Sequence, residues 1–240
     1  YNNAKEFMLD ALPEIKYGMT HNNVNHTKLI AYTNKRVKGF NDCVRRLLFT
    51  DNEPYHKSEF LTGCENFEYD GDMVFNSSDY IIINIRRTSR NIPHFMRLSG
   101  FELGLYDSVD KRLMNVFIID PDNINPDYLH TLAQKIESVR LDAIQAKKWS
   151  NRTKSKYLWG IYFDMVKSFA TPVPLLFDNR VIKPQTFDYG YAITAHRSQG
   201  SSYNNVFVEM GNLQLDRDIN ELRQLQYVSL SRTKTDAYVL

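Results

Sequence analysis

The sequence predicts an α/β protein in which a parallel-sheet domain is interrupted by a β-rich insertion with helices beside it. Three observations carry this. An apolar run, Leu29-Ile30-Ala31-Tyr32, passes through Thr33-Asn34 into an amphipathic stretch. Near the other end, Tyr191-Ala192-Ile193-Thr194 leads through a polar loop into a second apolar run, Val206-Phe207-Val208. Between about residues 56 and 184 the texture changes to short, closely spaced β-like runs and two long helices.

In chain order, residues 4–16 place Phe7, Met8, Ala11, Leu12 and Ile15 at helical spacing, with Gly18 as the expected terminator. Leu29–Tyr32 reads as a short buried strand. Thr33-Asn34 opens a helix whose inner face is Val37, Phe40, Val44, Leu47 and Leu48. A strand feeding a helix through a polar turn is half of a βαβ unit. Then come β-like runs at Asp72–Phe75, Tyr80–Ile85, Phe95–Tyr106 and Leu113–Ile119, punctuated by Gly71, Asn76-Ser77-Ser78 and Asp107-Ser108. Their spacing predicts a small antiparallel sheet or barrel, with the nearly all-apolar Tyr80–Ile85 run central.

Asn125-Pro126-Asp127 combines a capping Asn, Pro at the first helical position and an acid at the positive end of the dipole. Leu129, Leu132, Ile136, Val139 and Ala143 continue that helix to about Trp149. Another runs from about Thr153 to Phe169, where Pro172 and Pro174 follow. From about Gln185 the α/β texture returns. The expected division is therefore 1–55 with 185–240 as one domain and 56–184 as the insertion.

Bulk properties narrow the classes. The chain has 240 residues, 42% of them hydrophobic, with 14 Phe and 15 Tyr, enough for a sizeable core. A net charge of +2 excludes a strongly basic arm but not a local basic groove. Cys43 and Cys64 have no metal-ligand spacing and are expected as reduced thiols. No run is long and apolar enough to cross a membrane, and no secretion signal is present, so a cytoplasmic setting is expected.

The richest segment is Thr194-Ala195-His196-Arg197-Ser198-Gln199-Gly200, a Thr-x-His-x-x-Gln-Gly pattern. Tyr227-Val228-Ser229-Leu230-Ser231-Arg232-Thr233 follows, read as a helix carrying one arginine. With Leu29–Asn41, these segments resemble, in order and content, late motifs of superfamily-one DNA helicases. The Gln-Gly form and the short β-rich insert resemble the RecD/Dda branch.

The resemblance implies a second RecA-like (P-loop NTPase-type) domain carrying a small β-barrel insertion. It also implies ATP with magnesium as cofactor, single-stranded DNA or a single/double-strand junction as partner, and 5′ to 3′ movement. No Gly-x-x-x-x-Gly-Lys-Ser/Thr loop occurs, nor an Asp-Glu pair at a strand end. The family carries both on an N-terminal RecA-like domain. The expectation is thus a C-terminal portion that works with that domain and hydrolyses no ATP alone.

By resemblance, Arg232 is an arginine finger; guanidinium is permanently charged and forks onto phosphate oxygens. From position alone it reads as a surface arginine near a helix C-terminus. Gln199 and Gly200 face the nucleotide, where glycine permits close backbone approach and the amide both donates and accepts; otherwise they form a plain turn. Ser202 stands where many relatives have a ribose-binding carboxylate. Thr194 and His196 resemble DNA-phosphate contacts, although a His after an apolar strand can be a buried, satisfied ring. Thr33 and Asn34 resemble a second set of phosphate contacts, and suit helix capping equally. No metal ligands are nominated.

Lys147, Lys148, Arg152, Lys154 and Lys156 form a run with no acid beside Trp149, either a nucleic-acid contact or a solvated loop. Arg86, Arg87 and Arg90 leave the same choice. The competing functional class is a non-catalytic nucleic-acid-binding or partner-recruiting module, and an RNA strand stays open because phosphate contacts do not distinguish the sugars.

Overall fold

The structure is a computed structural model that describes residues 3–215 and 218–240. The chain divides into two compact units. The first takes the chain up to Leu61, with Asp79–Ile81 and Tyr189–Leu240; the second takes Thr62–Ser78 and Ile82–Asp188.

The chain opens with α1 (Ala4–Thr20), β1 (Thr27–Ala31) and α2 (Asn34–Leu48). Next come β2 (Phe60–Gly63), β3 (Phe67–Tyr69), β4 (Asp72–Val74), β5 (Asp79–Asn91), β6 (Arg97–Asp107) and β7 (Arg112–Ile119). Helices α3 (Pro126–Lys148) and α4 (Arg152–Lys167) precede β8 (Leu175–Phe177), β9 (Arg180–Lys183) and β10 (Phe187–Tyr189). The last stretch holds β11 (Ala192–Thr194), β12 (Tyr203–Val208), α5 (Met210–Leu213), α6 (Ile219–Leu230) and β13 (Thr233–Val239).

The first unit is built on a sheet ordered β11-β1-β12-β13, with every neighbouring pair parallel. Parallel strands covered on both faces need near-continuous apolar runs, and β1 is buried along its whole length. One face is closed by aromatic packing. Phe7 of α1 meets Phe207 of β12 edge-on at 5.4 Å and Phe40 of α2 at 6.2 Å between ring centres. The other face carries Ile30, Ile193, Val206 and Val208 under Leu213 of α5 and Leu225 of α6. The α/β reading with a parallel sheet therefore holds.

Sequence and structure part company in α1 and α2. Helix α1 runs through Gly18 to Thr20. Gly18 is buried, and a Cβ there would lie 3.1 Å from the Asn23 carbonyl oxygen and from His26 Cβ, so close packing explains this glycine better than termination. On α2 the expected inner residue Leu47 is half exposed, while Asn41 is fully buried and accepts the Ala192 N–H at 2.9 Å.

A five-stranded sheet is ordered β10-β2-β5-β6-β7, which makes β5 central as its apolar start predicts. β6 and β7 form an antiparallel hairpin in register from Gly100↔Ile119 to Asp107↔Arg112. Two further hairpins, β3–β4 and β8–β9, stand as separate two-stranded sheets. Among the described residues the five-stranded order ends at β10 and β7, with the hairpins as accessories, which is the sheet of the expected sheet or barrel; the barrel itself is not confirmed. Asn125 caps α3 by accepting the Asp127 N–H, as the Asn-Pro-Asp signature predicts. The α3 and α4 helices pack together, and the Ser155 hydroxyl donates to the Ala143 carbonyl at 2.9 Å.

Candidate functional site

Two groups of nominated residues flank the parallel sheet of the first unit. At the carboxyl ends of β1 and β11, Ala31 pairs with Thr194, and the Ala195 N–H donates to the Ala31 carbonyl at 2.9 Å. The segments Thr33-Asn34 and Thr194–His196 leave these adjacent strand ends side by side. Open parallel sheets bind ligands outside the carboxyl ends of their strands.

Thr33 caps α2, its hydroxyl oxygen accepting the Arg36 N–H at 3.2 Å, while Asn34 is exposed in the first turn. Thr194 is buried, and its hydroxyl oxygen accepts the Arg197 N–H at 3.3 Å, which closes the turn after β11. The His196 ring is not the buried, satisfied one of the bland alternative. It is half exposed, 3.6 Å from a Glu221 carboxylate oxygen and 6.1 Å between ring centres from Tyr32. His196 and Gln199 line a shallow cleft of about 250 Å³ with Glu221 and Gln224 of α6 and Asp218 just before it.

The second group lies at the amino ends of β12 and β13, where Tyr203 pairs with Thr233 and its N–H donates to the Arg232 carbonyl at 2.8 Å. Helix α6 ends at Leu230, so Arg232 sits in the turn into β13 rather than on the helix expected to carry it. The Arg232 guanidinium is partly buried. It donates to the carbonyls of Val228 at 3.1 Å and Ser201 at 3.4 Å, and to the Ser231 hydroxyl at 3.1 Å. No carboxylate pairs with it among the described residues. Gly200 has φ +83°, a left-handed conformation that glycine adopts without strain, and nothing lies within 4 Å of where its Cβ would be. Ser202 is exposed beside it. Arg232, Gly200 and Ser202 therefore share one edge of the sheet and Thr33, Asn34, Thr194 and His196 the other. The loop 195–202, holding Gln199, runs between the two.

Several supporting residues escape a reading of the sequence. The Asn212 carboxamide oxygen accepts the N–H groups of both Tyr32 and Thr33, at 2.8 and 3.0 Å, and so fixes the end of β1. Arg36 makes a two-pronged contact with Glu209, both bonds 2.5 Å, tying α2 to the end of β12. Fully buried Lys28 donates to Asp79 and to the Gly190 carbonyl, each at 2.6 Å. Glu59, also fully buried, accepts from Arg45 Nε at 2.6 Å, from the Tyr191 hydroxyl at 2.9 Å and from the His56 N–H at 3.0 Å. Burial pushes the Glu59 carboxyl up, an effect the Arg45 guanidinium only partly offsets. Burial and the nearby Glu59 charge together raise the Tyr191 phenol well above its ordinary value. These partners are up to 180 residues apart in the chain. The only local signal is a charged residue inside an apolar run, as at Lys28.

Among the described residues no cluster of three or more His, Cys, Asp or Glu could hold a metal, and no helix is long and apolar enough to cross a membrane.

Residues 189–240 match the family described as UvrD-like helicase C-terminal domain. An uncharacterized protein of Acanthamoeba polyphaga mimivirus is 25% identical over 131 residues, covering 52% of this chain and 22% of that protein. This chain thus spans about a fifth of the curated relative's length. Among solved structures, the Pif1 helicase from Bacteroides in complex with ADP-AlF3 and ssDNA is similar over 100% of this chain and 50% of that one, at 11% identity and a TM-score of 0.40. The Pif1 helicase from Candida albicans gives 98% and 53% coverage, 11% identity and a TM-score of 0.39.

Proposed function

We propose that this chain, which carries the C-terminal portion of a superfamily-one helicase with residues 189–240 as its UvrD-like segment, is the trailing half of an ATP-driven nucleic-acid translocase. The observation that carries the reading is Arg232. It is a guanidinium held by three neutral oxygens, with no carboxylate paired to it among the described residues, beside a glycine turn open enough for close ligand approach. Neutral carbonyls orient a cation without cancelling its charge, which suits stabilisation of a transferring phosphoryl group.

In this reading an N-terminal RecA-like domain holds ATP and magnesium. Arg232 reaches the γ-phosphate across the cleft, and Gln199, Gly200 and Ser202 line the nucleotide side. Thr33, Asn34, Thr194 and His196 grip phosphates of single-stranded DNA, or of the strand at a junction, on the opposite edge of the same sheet. Nucleotide-driven closure would reach both edges through the loop 195–202, and stepping would run 5′ to 3′. The acids Asp218 and Glu221 beside His196 and Gln199 argue against a densely phosphate-filled cleft there. Within that cleft they leave His196 as the strand contact, beside Thr33, Asn34 and Thr194 outside it.

The test is Arg232→Ala and Arg232→Lys in the complete reading frame. The Ala variant is expected to lose ATP turnover by about 10³-fold or more while single-strand binding persists. The Lys variant is expected to rescue little, because an ammonium lacks the fork. Turnover near wild type would remove the finger assignment. Strand binding by a protein with no ATP turnover at all would favour the non-catalytic binding module.

A further inference from the structure

The basic run beside Trp149 takes no part in the reading above, and the structure gives it a shape. Arg152, Lys156 and Gly160 succeed one another at four-residue intervals on α4, with Tyr157 and Ile161 beside them. Residues at that spacing share one helix face. Together they line an open groove of about 580 Å³ in the second unit. Its floor is apolar and its rim is cationic. Arg152, Lys156 and Tyr157 are all exposed, Tyr157 at 66%. Trp149, at the α3–α4 junction, is 71% exposed.

Three features separate this face from an ordinary solvated helix. First, several cations of the unit have acids: Arg86 with Glu102, Arg87 with Asp120, Arg90 with Asp70, Arg140 with Glu137, Lys167 with Glu68. Lys147, Lys148, Arg152, Lys154 and Lys156 have no such partner among the described residues. Second, large aromatic rings stand exposed among these cations, an arrangement that hydrophobic burial does not explain. Third, Gly160 sits mid-helix, where glycine costs about 1 kcal/mol relative to alanine. A Cβ there would meet nothing within 4 Å, so internal packing does not require the glycine. What its absence of side chain leaves is a flat shelf next to the Tyr157 ring. Asp164, 3.7 Å from His94 Nε2, closes the far end and confines the cationic part to the first two turns.

We infer that this groove is a second polynucleotide site, taking the sugar-phosphate backbone of a single strand against Arg152 and Lys156 while a base stacks on Tyr157. The two cations lie about 6 Å apart along the helix axis, a separation suited to successive phosphates of an extended strand. Ring stacking is tolerant of sequence, since every base has a π-face. Trp149 offers a second platform next to Lys147 and Lys148. The choice of a nucleic-acid strand rests on the translocase reading. The alternation of cations with exposed rings favours it over an acidic peptide, which would use the charges but leave the rings idle. The site lies in the inserted unit and uses none of the residues assigned above to the sheet edges.

The experiment is fluorescence anisotropy of a labelled oligothymidylate with the whole 240-residue chain, titrated at several salt concentrations. The groove positions Arg152, Lys156 and Tyr157 are exposed, and unchanged circular dichroism and melting would certify the fold. Arg152→Ala with Lys156→Ala is expected to weaken binding about tenfold and to flatten the salt dependence by about one ion per phosphate contact removed. Tyr157→Ala is expected to cost about tenfold at unchanged salt slope, and Tyr157→Phe to restore it, because stacking needs the ring and not the hydroxyl.

Thr33→Ala with His196→Ala serves as the parallel arm. If that pair weakens binding and the groove variants leave it at wild-type strength, the groove inference is overturned and the sheet-edge reading stands. If the unsubstituted chain fails to bind the strand, both fall. A polyglutamate peptide that binds the groove while the oligonucleotide does not would overturn it in favour of an acidic protein partner.

Discussion

Removing the Glu59 carboxylate is the sharpest test of how the first unit is held in shape. Glu59 has no exposed side-chain surface, and the Arg45 side chain is only 17% exposed. Glu59→Ala would orphan three donors at once: Arg45 Nε, the Tyr191 hydroxyl and the His56 N–H. The Tyr191 hydroxyl is the most costly of the neutral ones, because the ring is fully buried and an unmatched buried donor costs about 1–3 kcal/mol. Breaking a buried ion pair by deleting one partner costs about 3–5 kcal/mol, and the uncompensated Arg45 charge belongs in that range. For a chain of this length each kcal/mol moves the midpoint by about 2–4 °C, so Glu59→Ala is expected to melt about 10 °C lower.

A urea titration gives the free energy directly, and a double-mutant cycle with Arg45→Ala is expected to return a coupling of about 1–3 kcal/mol. Glu59→Gln keeps an acceptor for Tyr191 and is expected to cost less than Glu59→Ala. The carboxyl is pushed up by burial, so its charged form works against folding above the folded-state value. That penalty lifts as pH falls toward the unfolded-state value, and the Gln variant is expected to lack that pH dependence. A cost for Glu59→Ala below about 1 kcal/mol, or strict additivity with Arg45→Ala, would refute the claim that this cluster holds Tyr191, and with it the start of the Thr-x-His segment, in place.

Other outcomes follow from the same geometry. Burial lowers the Lys183 ammonium to about 8, partly offset by Glu65. Its folded value lies below its unfolded one, so the unfolded chain binds more protons between about pH 8 and the ordinary lysine range, and stability is expected to rise with pH across that window. The gain is on the order of 3 kcal/mol; urea midpoints against pH for wild type and Lys183→Met would read it, and a slope that survives in the Met variant would refute it. Asn212→Ala removes the acceptor for two N–H groups at the end of β1 and is expected to cost about 1–3 kcal/mol. It should also weaken strand binding through Thr33, while Asn212→Asp, which keeps an acceptor, should retain most of both. Equal strand affinity in the Ala variant would mean that the β1–α2 turn holds itself.

What was legible in the sequence is what depends on near neighbours. The strand-to-helix step at Leu29–Leu48, the Thr33 and Asn125 caps, the apolar runs of β1 and β12 and the long helices α3 and α4 are each encoded within a few residues. Periodicity and capping are local physics. Short strands such as β2, β3, β8 and β9 carry too few residues for a period to show. Gly18 misleads because the same residue type serves both helix ends and close packing. The Leu47 position misleads because periodicity marks a face without saying how far a neighbouring element covers it.

The chemical segments could be nominated from residue type and order, but not their arrangement. That Arg232 lies in a turn among neutral oxygens, that Thr33 and Thr194 leave adjacent strand ends, and that Asn212 fastens one of them are products of strand order and register. Order and register are set by burial summed over contacts from thirty to more than a hundred and sixty residues apart along the chain. By itself, then, the sequence determined the element types and the candidate residues. The tertiary structure alone decided which charges are paired and which are left open, because pairing depends on which distant segments the core brings within hydrogen-bond reach.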